Sequence, residues 1–304
     1  SIARSGSDLY VVWTDDTYGN NEILMKSSFD NGATWSLQRL TNNTGSSSNP
    51  SIAVSGNNLY VVWQDDSYGN NEIVLKSSTD NGSTWTTQRL TNNTGSSNSP
   101  AISIDGINLY VVWQDDSYGN NEIVLKGSPD NGATWTTQRL TNTTGQSYNP
   151  SIAVNGSNLY VAWNDDTYGN NEIFLKRSAD NGATWTFQRL TNNTGVSDLP
   201  SVKVDGSNIY IVWSDDSYGN REIVLKRSSD GGATWSTQRF TNIAGSSSNP
   251  SVAVNGNNLY VVWNDDTYGN NEIFLKRSSD GGATWSLSRI TNNTGASLMP
   301  VIAR

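Results

Sequence analysis

The chain has 304 residues, 34% of them hydrophobic, and 28 acidic against 19 basic side chains give a formal charge of −9. That balance excludes a nucleic-acid partner, since phosphate binding needs a basic stripe to release counterions. Cysteine and histidine are both absent, which removes disulfides, thiolate metal sites, the commonest general base and the usual triad partner. No stretch approaches the ~18 consecutive apolar residues of a membrane helix, so membrane insertion is not expected. Ser1-Ile2-Ala3-Arg4 is not a signal peptide.

Six repeats of 50 residues follow one another without interruption. They divide as 1–50, 51–100, 101–150, 151–200, 201–250 and 251–300, with 301–304 an extra copy of the first strand. A period of this length marks a repeat architecture. The second copy shows the elements. Ser51 to Val54 is a short apolar strand, followed by turn chemistry at Ser55-Gly56-Asn57-Asn58. Leu59 to Trp63 is β-branched, aromatic and almost continuously apolar, as in a strand covered on both faces. Gln64 to Asn71 breaks the chain, and Glu72 to Ser77 restores strand composition. Ser78-Thr79-Asp80-Asn81-Gly82-Ser83-Thr84-Trp85 turns into a fourth strand ending at Thr91. Asn92 to Pro100 reads as a polar connection whose proline suits entry to the next strand. Nothing has a helical period. Four antiparallel strands per unit and six units predict a single all-β domain, a six-bladed β-propeller.

The repeats are nearly identical. Asn58 to Lys76 matches Asn108 to Lys126 over all 19 residues, which fits a recently amplified or deliberately built array. Of the 28 acidic residues, 24 sit at four fixed positions, Asp15, Asp16, Glu22 and Asp30 in the first copy, so the charge belongs to the blade design. Ile2-Ala3-Arg4 and Ile302-Ala303-Arg304 both copy the innermost strand, so one is expected to close the ring while the other is displaced, paired at an edge, or left over from a longer array that was truncated.

The invariant Ser-x-Asp-x-Gly-x-Thr-Trp places Asp30, Asp80, Asp130, Asp180, Asp230 and Asp280 two residues before a glycine. Trp35, Trp85, Trp135, Trp185, Trp235 and Trp285 close the motif. The aspartate can accept from N–H groups of its own turn, the glycine can take positive φ, and the indole can lie against the blade, each a local structural role.

The motif resembles the Asp-box, or bacterial neuraminidase repeat, of sialidase-like six-bladed propellers, and the resemblance covers all six copies. It implies a structural turn between the third and fourth strands, on the face opposite the active site. An extracellular or cell-surface location is expected. Sialidases of this kind use an arginine triad, a tyrosine–glutamate nucleophile pair, an aspartate acid/base and an Arg-Ile-Pro motif. Arg289-Ile290-Thr291 is the nearest approach to that motif. Arg39, Arg89, Arg139, Arg189, Arg239 and Arg289 are equivalent positions that look like partners for repeat carboxylates. Arg177, Arg227 and Arg277 flank the Asp-box, and Arg221 alone is singular at the other end. No catalytic residue carries over, and converging acid–base and electrostatic groups are what chemistry would need.

The opposite face carries Asp15-Asp16-Thr17-Tyr18-Gly19-Asn20-Asn21-Glu22 and its copies. Tyr18, Tyr68, Tyr118, Tyr168, Tyr218 and Tyr268 are aromatic plates that could stack sugars. The oxygens would suit calcium, yet the spacing lacks the alternating ligands of a calcium loop, so no metal or cofactor is expected. The structural expectation is that Asp15 or Asp16 caps the loop, Gly19 takes positive φ and Tyr18 packs on the adjacent blade. Copies diverge before the inter-blade proline, where Tyr148, Leu199, Leu298 and Met299 are apolar in a polar loop and compatible with a contact patch around the channel mouth. The expected role is a monomeric, non-catalytic extracellular scaffold or binding module for a glycan or peptide. A sialidase-like glycoside hydrolase and a ligand-free amplified or engineered propeller remain the alternatives. Five Asn-x-Thr sequons, at Asn42, Asn92, Asn142, Asn192 and Asn292, lie in the connecting loops.

Overall fold

The computed structural model describes residues 1–303. Blade 1 is β1 (Ile2–Ser5), β2 (Asp8–Asp15), β3 (Glu22–Ser28) and β4 (Ser36–Arg39). Blade 2 is β5 (Ser47–Ser55), β6 (Asn58–Asp65), β7 (Glu72–Ser78) and β8 (Thr86–Arg89), and blade 3 is β9 (Ser97–Asp105), β10 (Asn108–Asp115), β11 (Glu122–Ser128) and β12 (Thr136–Arg139). Blade 4 is β13 (Ser147–Asn155), β14 (Asn158–Asp165), β15 (Glu172–Ser178) and β16 (Thr186–Arg189). Blade 5 is β17 (Ser197–Asp205), β18 (Asn208–Asp215), β19 (Glu222–Ser228) and β20 (Ser236–Arg239). Blade 6 is β21 (Ser247–Asn255), β22 (Asn258–Asp265), β23 (Glu272–Ser278) and β24 (Ser286–Arg289). Each sheet runs in simple sequence order, and no helix occurs among the described residues. The fold is an all-β six-bladed propeller. Backbone packing divides it into two compact units, Ser1–Pro150 and the residues from Ser151 onward, the division falling inside β13.

The innermost strands of blades 2 to 6 are longer than composition suggests. β5 begins at Ser47, so most of the expected polar connection is strand. Its ladder pairs Ser48 with Gln64 and next Ser51 with Val62, leaving Asn49 and Pro50 as a bulge. A bulge needs no ladder N–H at the proline, which is how Pro50 lies inside a strand.

Packing within each unit is built from blade-to-blade layers. Leu59, Val61 and Trp63 of blade 2 pack on Tyr10, Val12, Ile23 and Leu40 of blade 1. Blades 4 and 5 repeat the pattern with Leu190 against Ile209, Ile211 and Trp213. The turn tryptophan joins in: Trp85 packs on the blade 1–blade 2 cluster and donates to Gln38 Oε1 at 3.3 Å. Tyr10 Oη donates to Asn81 Oδ1 of the next turn at 3.3 Å, and Arg227 Nη1 to Gly281 O at 2.7 Å. The turn is therefore a clasp between neighbouring blades as well as a local structure. Ile290 occupies the Leu190 position in blade 6 but is 56% exposed.

The two terminal copies of the innermost strand differ. Ile2–Ser5 pairs with β2 in blade 1. Val301 to Ala303 forms no strand, yet Ile302 N donates to Ser251 Oγ at 3.3 Å. That bond repeats the one from Val252 N to Ser201 Oγ at 3.4 Å, so the extra copy docks beside β21 as an inner strand does. Arg304, the last residue of that copy, lies outside the described residues.

Candidate functional site

The β2–β3 loop of each blade and its Asp turn occupy opposite ends of one ladder. In blade 2, Asp65 pairs with Glu72 at one end and Leu59 with Ser78 at the other, about 20 Å apart at the usual rise per residue. Asp65 Oδ1 accepts from Ser67 N at 3.0 Å, and Oδ2 accepts from Trp63 Nε1 at 3.0 Å, Ser47 Oγ at 2.8 Å and Asn43 Nδ2 at 2.8 Å. Burial pushes the Asp65 carboxyl up, and the hydrogen bonds from Ser67, Trp63 and Ser47 outweigh it, leaving it below the ordinary aspartate range. Asp66 Oδ1 accepts from Ser46 N at 2.6 Å. Gly69 stands at φ 97°, a conformation that favours glycine. The loop carboxylates are thus engaged by donors that fix the loop. Gly95 passes so close to the loop of blade 3 that a Cβ there would lie 2.4 Å from Ser117 N.

Tyr18, Tyr68, Tyr118, Tyr168, Tyr218 and Tyr268 are 45% to 62% exposed. Each carries an arginine of its own blade over its ring, from 4.1 Å at Arg39–Tyr18 to 4.5 Å at Arg239–Tyr218. The stacking on Tyr18 lies within its own blade, because the arginine at the end of the fourth strand lies beside the loop of its own sheet. The same arginine pairs with the fully buried glutamate that opens the third strand, at 2.7 Å in Arg89–Glu72 and 3.1 Å in Arg289–Glu272. All six arginines of this set are spent in such ion pairs. The singular Arg221 pairs with Asp198 at 2.5 Å.

The pre-proline residues share the end of the blade that carries the tyrosine loop, since Ser47 pairs with Asp65 and Ser48 with Gln64. The second residue of each pair is left-handed: Asn49, Ser99, Asn149, Leu199, Asn249 and Met299 all have φ between 52° and 56°. Asparagine tolerates that region, whereas a branched or long apolar side chain pays for it. Tyr148 and Leu199 are half-buried; Leu298 is 53% and Met299 72% exposed. Lys203 is an exposed cation on innermost strand β17 where the other blades have Ala3, Ala53, Ser103, Ala153 and Ala253. Its departure from the repeat is the signal in the sequence that marks it.

No protein-family model and no curated protein sequence matches the chain. Solved structures do. Two structures of an ulvan lyase, of polysaccharide lyase family PL25, superpose with TM-scores of 0.66 and 0.67 at 11% identity, covering 95% of this chain and 82% of the lyase. The Trypanosoma rangeli sialidase, solved with the inhibitor DANA, superposes with a TM-score of 0.63 at 16% identity, covering 90% of this chain and 54% of the sialidase. At such identities the likeness concerns the fold, and the fold it identifies is a sialidase-like six-bladed propeller.

Proposed function

We propose that the chain is a non-catalytic, extracellular or cell-surface glycan-binding propeller acting as a monomer. The observation that carries this reading is the set of exposed tyrosines, each braced by an arginine that is itself anchored on a buried glutamate. A braced ring is a pre-oriented plate for the C–H face of a sugar. Tyr148, Leu199 and Met299 at the same blade ends would set which glycan is preferred. Against catalysis stands the use of the arginines: each is committed within its blade, and removing one would expose a buried carboxylate. The polysaccharide lyase and sialidase among the structural neighbours point the same way as to ligand class. The sequon asparagines are all exposed, as a secreted, glycosylated chain would require.

A glycan array spanning neutral, sialylated and uronic-acid oligosaccharides, followed by calorimetry, tests the reading. Binding that weakens on replacing Tyr68 and Tyr118 together by alanine supports it. Absence of any glycan hit, or capture of peptides alone, defeats it. Turnover of a fluorogenic sialoside or of a uronate polysaccharide would defeat the non-catalytic part. A mass above the monomer by light scattering would defeat the monomeric part.

A further inference from the structure

Blades 4 and 6 depart from the others at one buried contact. In blades 1, 2, 3 and 5 the second-strand tryptophan donates its indole N–H to the loop aspartate: Trp13 to Asp15 at 3.1 Å, Trp63 to Asp65 at 3.0 Å, Trp113 to Asp115 at 2.9 Å and Trp213 to Asp215 at 2.9 Å. The residue opposite that tryptophan is Leu24, Val74, Val124 or Val224. In blades 4 and 6 it is Phe174 or Phe274, stacked on the indole at 5.8 Å and 5.9 Å between centroids. There the Nε1 atoms of Trp163 and Trp263 are buried with no acceptor. A buried donor left unpaired costs about 1–3 kcal/mol.

The two blades then diverge. In blade 4, Phe187 closes over the pair, 5.5 Å from Phe174 and 6.1 Å from Trp163. In blade 6 the same position is Leu287, and a cavity of about 420 Å³ remains between blades 5 and 6. Trp263, Tyr268, Phe274, Leu287, Ile243 and Arg239 line it. A second donor is orphaned on another residue of the lining. Arg39 Nε, Arg89 Nε, Arg139 Nε, Arg189 Nε and Arg289 Nε each donate to the threonine carbonyl two residues on, at 2.7 to 2.9 Å. Arg239 Nε is buried without a partner. Ile243 stands where the other repeats have Asn43, Asn93, Thr143, Asn193 and Asn293. Lys276 also lines the cavity, its ammonium bonded to Phe240 O at 2.5 Å.

We propose that this cavity is a binding site for a flat aromatic ligand bearing a carboxylate or carbonyl oxygen. Aromatic and aliphatic walls take the ring, and the unpaired N–H groups of Trp263 and Arg239, uncovered as the ligand enters and with the Lys276 ammonium on the same lining, take the oxygen. The volume suits a bicyclic acid. A pyranose is disfavoured because its several hydroxyls would meet mostly carbon, and the Asp265 carboxylate is already bonded to Ser247 Oγ at 2.6 Å and Thr267 N at 2.9 Å. The inference does not depend on the glycan reading, and its probe is different.

The test titrates 2-naphthoate into the full-length chain labelled with ¹⁵N, the Trp263 indole cross-peak being assigned by its loss in Trp263→Phe. Saturable displacement of that peak is expected, with 2-methylnaphthalene, which lacks the acceptor, binding about tenfold more weakly or worse. Leu287→Phe, copying blade 4, should fill the slot and abolish binding without lowering the melting temperature. Ile243→Asn, copying the commonest residue of the other repeats, should weaken binding and serves if Leu287→Phe misfolds. An unmoved Trp263 peak, equal binding to Leu287→Phe, equal binding of 2-methylnaphthalene, or stronger binding of methyl glucuronide would each overturn the proposal.

Discussion

Arg89 holds its Nη2 2.7 Å from the Oε1 of Glu72, a carboxylate with no solvent exposure. Nε of the same arginine donates to Thr91 O at 2.7 Å, and the guanidinium lies 4.2 Å over the Tyr68 ring. One side chain therefore neutralises a buried charge, ties the end of the fourth strand and braces an exposed ring. Arg89→Ala should cost about 3–5 kcal/mol, because it strands an uncompensated carboxylate. Arg89→Lys should recover part of that loss but not the planar stacking. Urea denaturation with matched m-values measures both; a loss below about 1 kcal/mol for Arg89→Ala would place the pair among weak surface bridges.

Position 40 and its copies offer an internal comparison. Leu190 is buried in the blade 4–blade 5 layer, while Ile290 is mostly exposed. Leu190→Ala should cost about 2–5 kcal/mol and Ile290→Ala under about 1 kcal/mol. Equal losses would show that Ile290 is covered in solution.

The Asp turns should make stability fall in acid. Asp30 accepts from Thr34 Oγ1 at 2.6 Å, Thr34 N at 2.8 Å and Ser28 Oγ at 2.7 Å. These bonds, Thr34's hydroxyl first, hold its carboxyl at about 2; Asp80 and Asp180 likewise lie at about 2. An aspartate lowered from an unfolded value near ~3.9 contributes stability that is whole above that value and lost as pH falls through the folded one. Chemical denaturation should therefore show the decline between about pH 4 and pH 2. Asp80→Asn should flatten that part of the profile; an unchanged slope would remove the turn from the explanation.

Leu199 and Met299 hold left-handed backbone, at φ 56° and 52°, where three of the other four copies have asparagine. Leu199→Asn should stabilise by up to about 1 kcal/mol through relief of that strain. If Leu199 serves ligand recognition, the same variant should bind glycan less tightly. A destabilised Leu199→Asn would mean that its contacts outweigh the backbone cost.

Much of this architecture was legible in the residues themselves. A 50-residue period, alternating runs of strand and turn composition, and a glycine in every Asp turn are local signals, and strand order follows when each strand pairs with its sequence neighbour. The pairing of Arg39-type residues with repeat carboxylates was legible for the same reason, since both partners recur at fixed spacing. The start of β5 was not, because Pro50 looks like a boundary until the bulge at Asn49 shows that its missing N–H faces no ladder partner. The Arg–Tyr stacking within a blade depended on which side of the sheet each loop folds over.

What the sequence determined alone is the repeating unit, because its causes act over a few residues. Only tertiary structure decided how small differences make similar units unequal: Ile290 exposed where Leu190 is buried, the indole N–H of Trp263 unpaired where Phe274 stacks on its ring, and the space left beside Leu287. Those differences come from side-chain packing within a blade as well as between blades, where one added ring or one missing ring changes what a neighbour can reach.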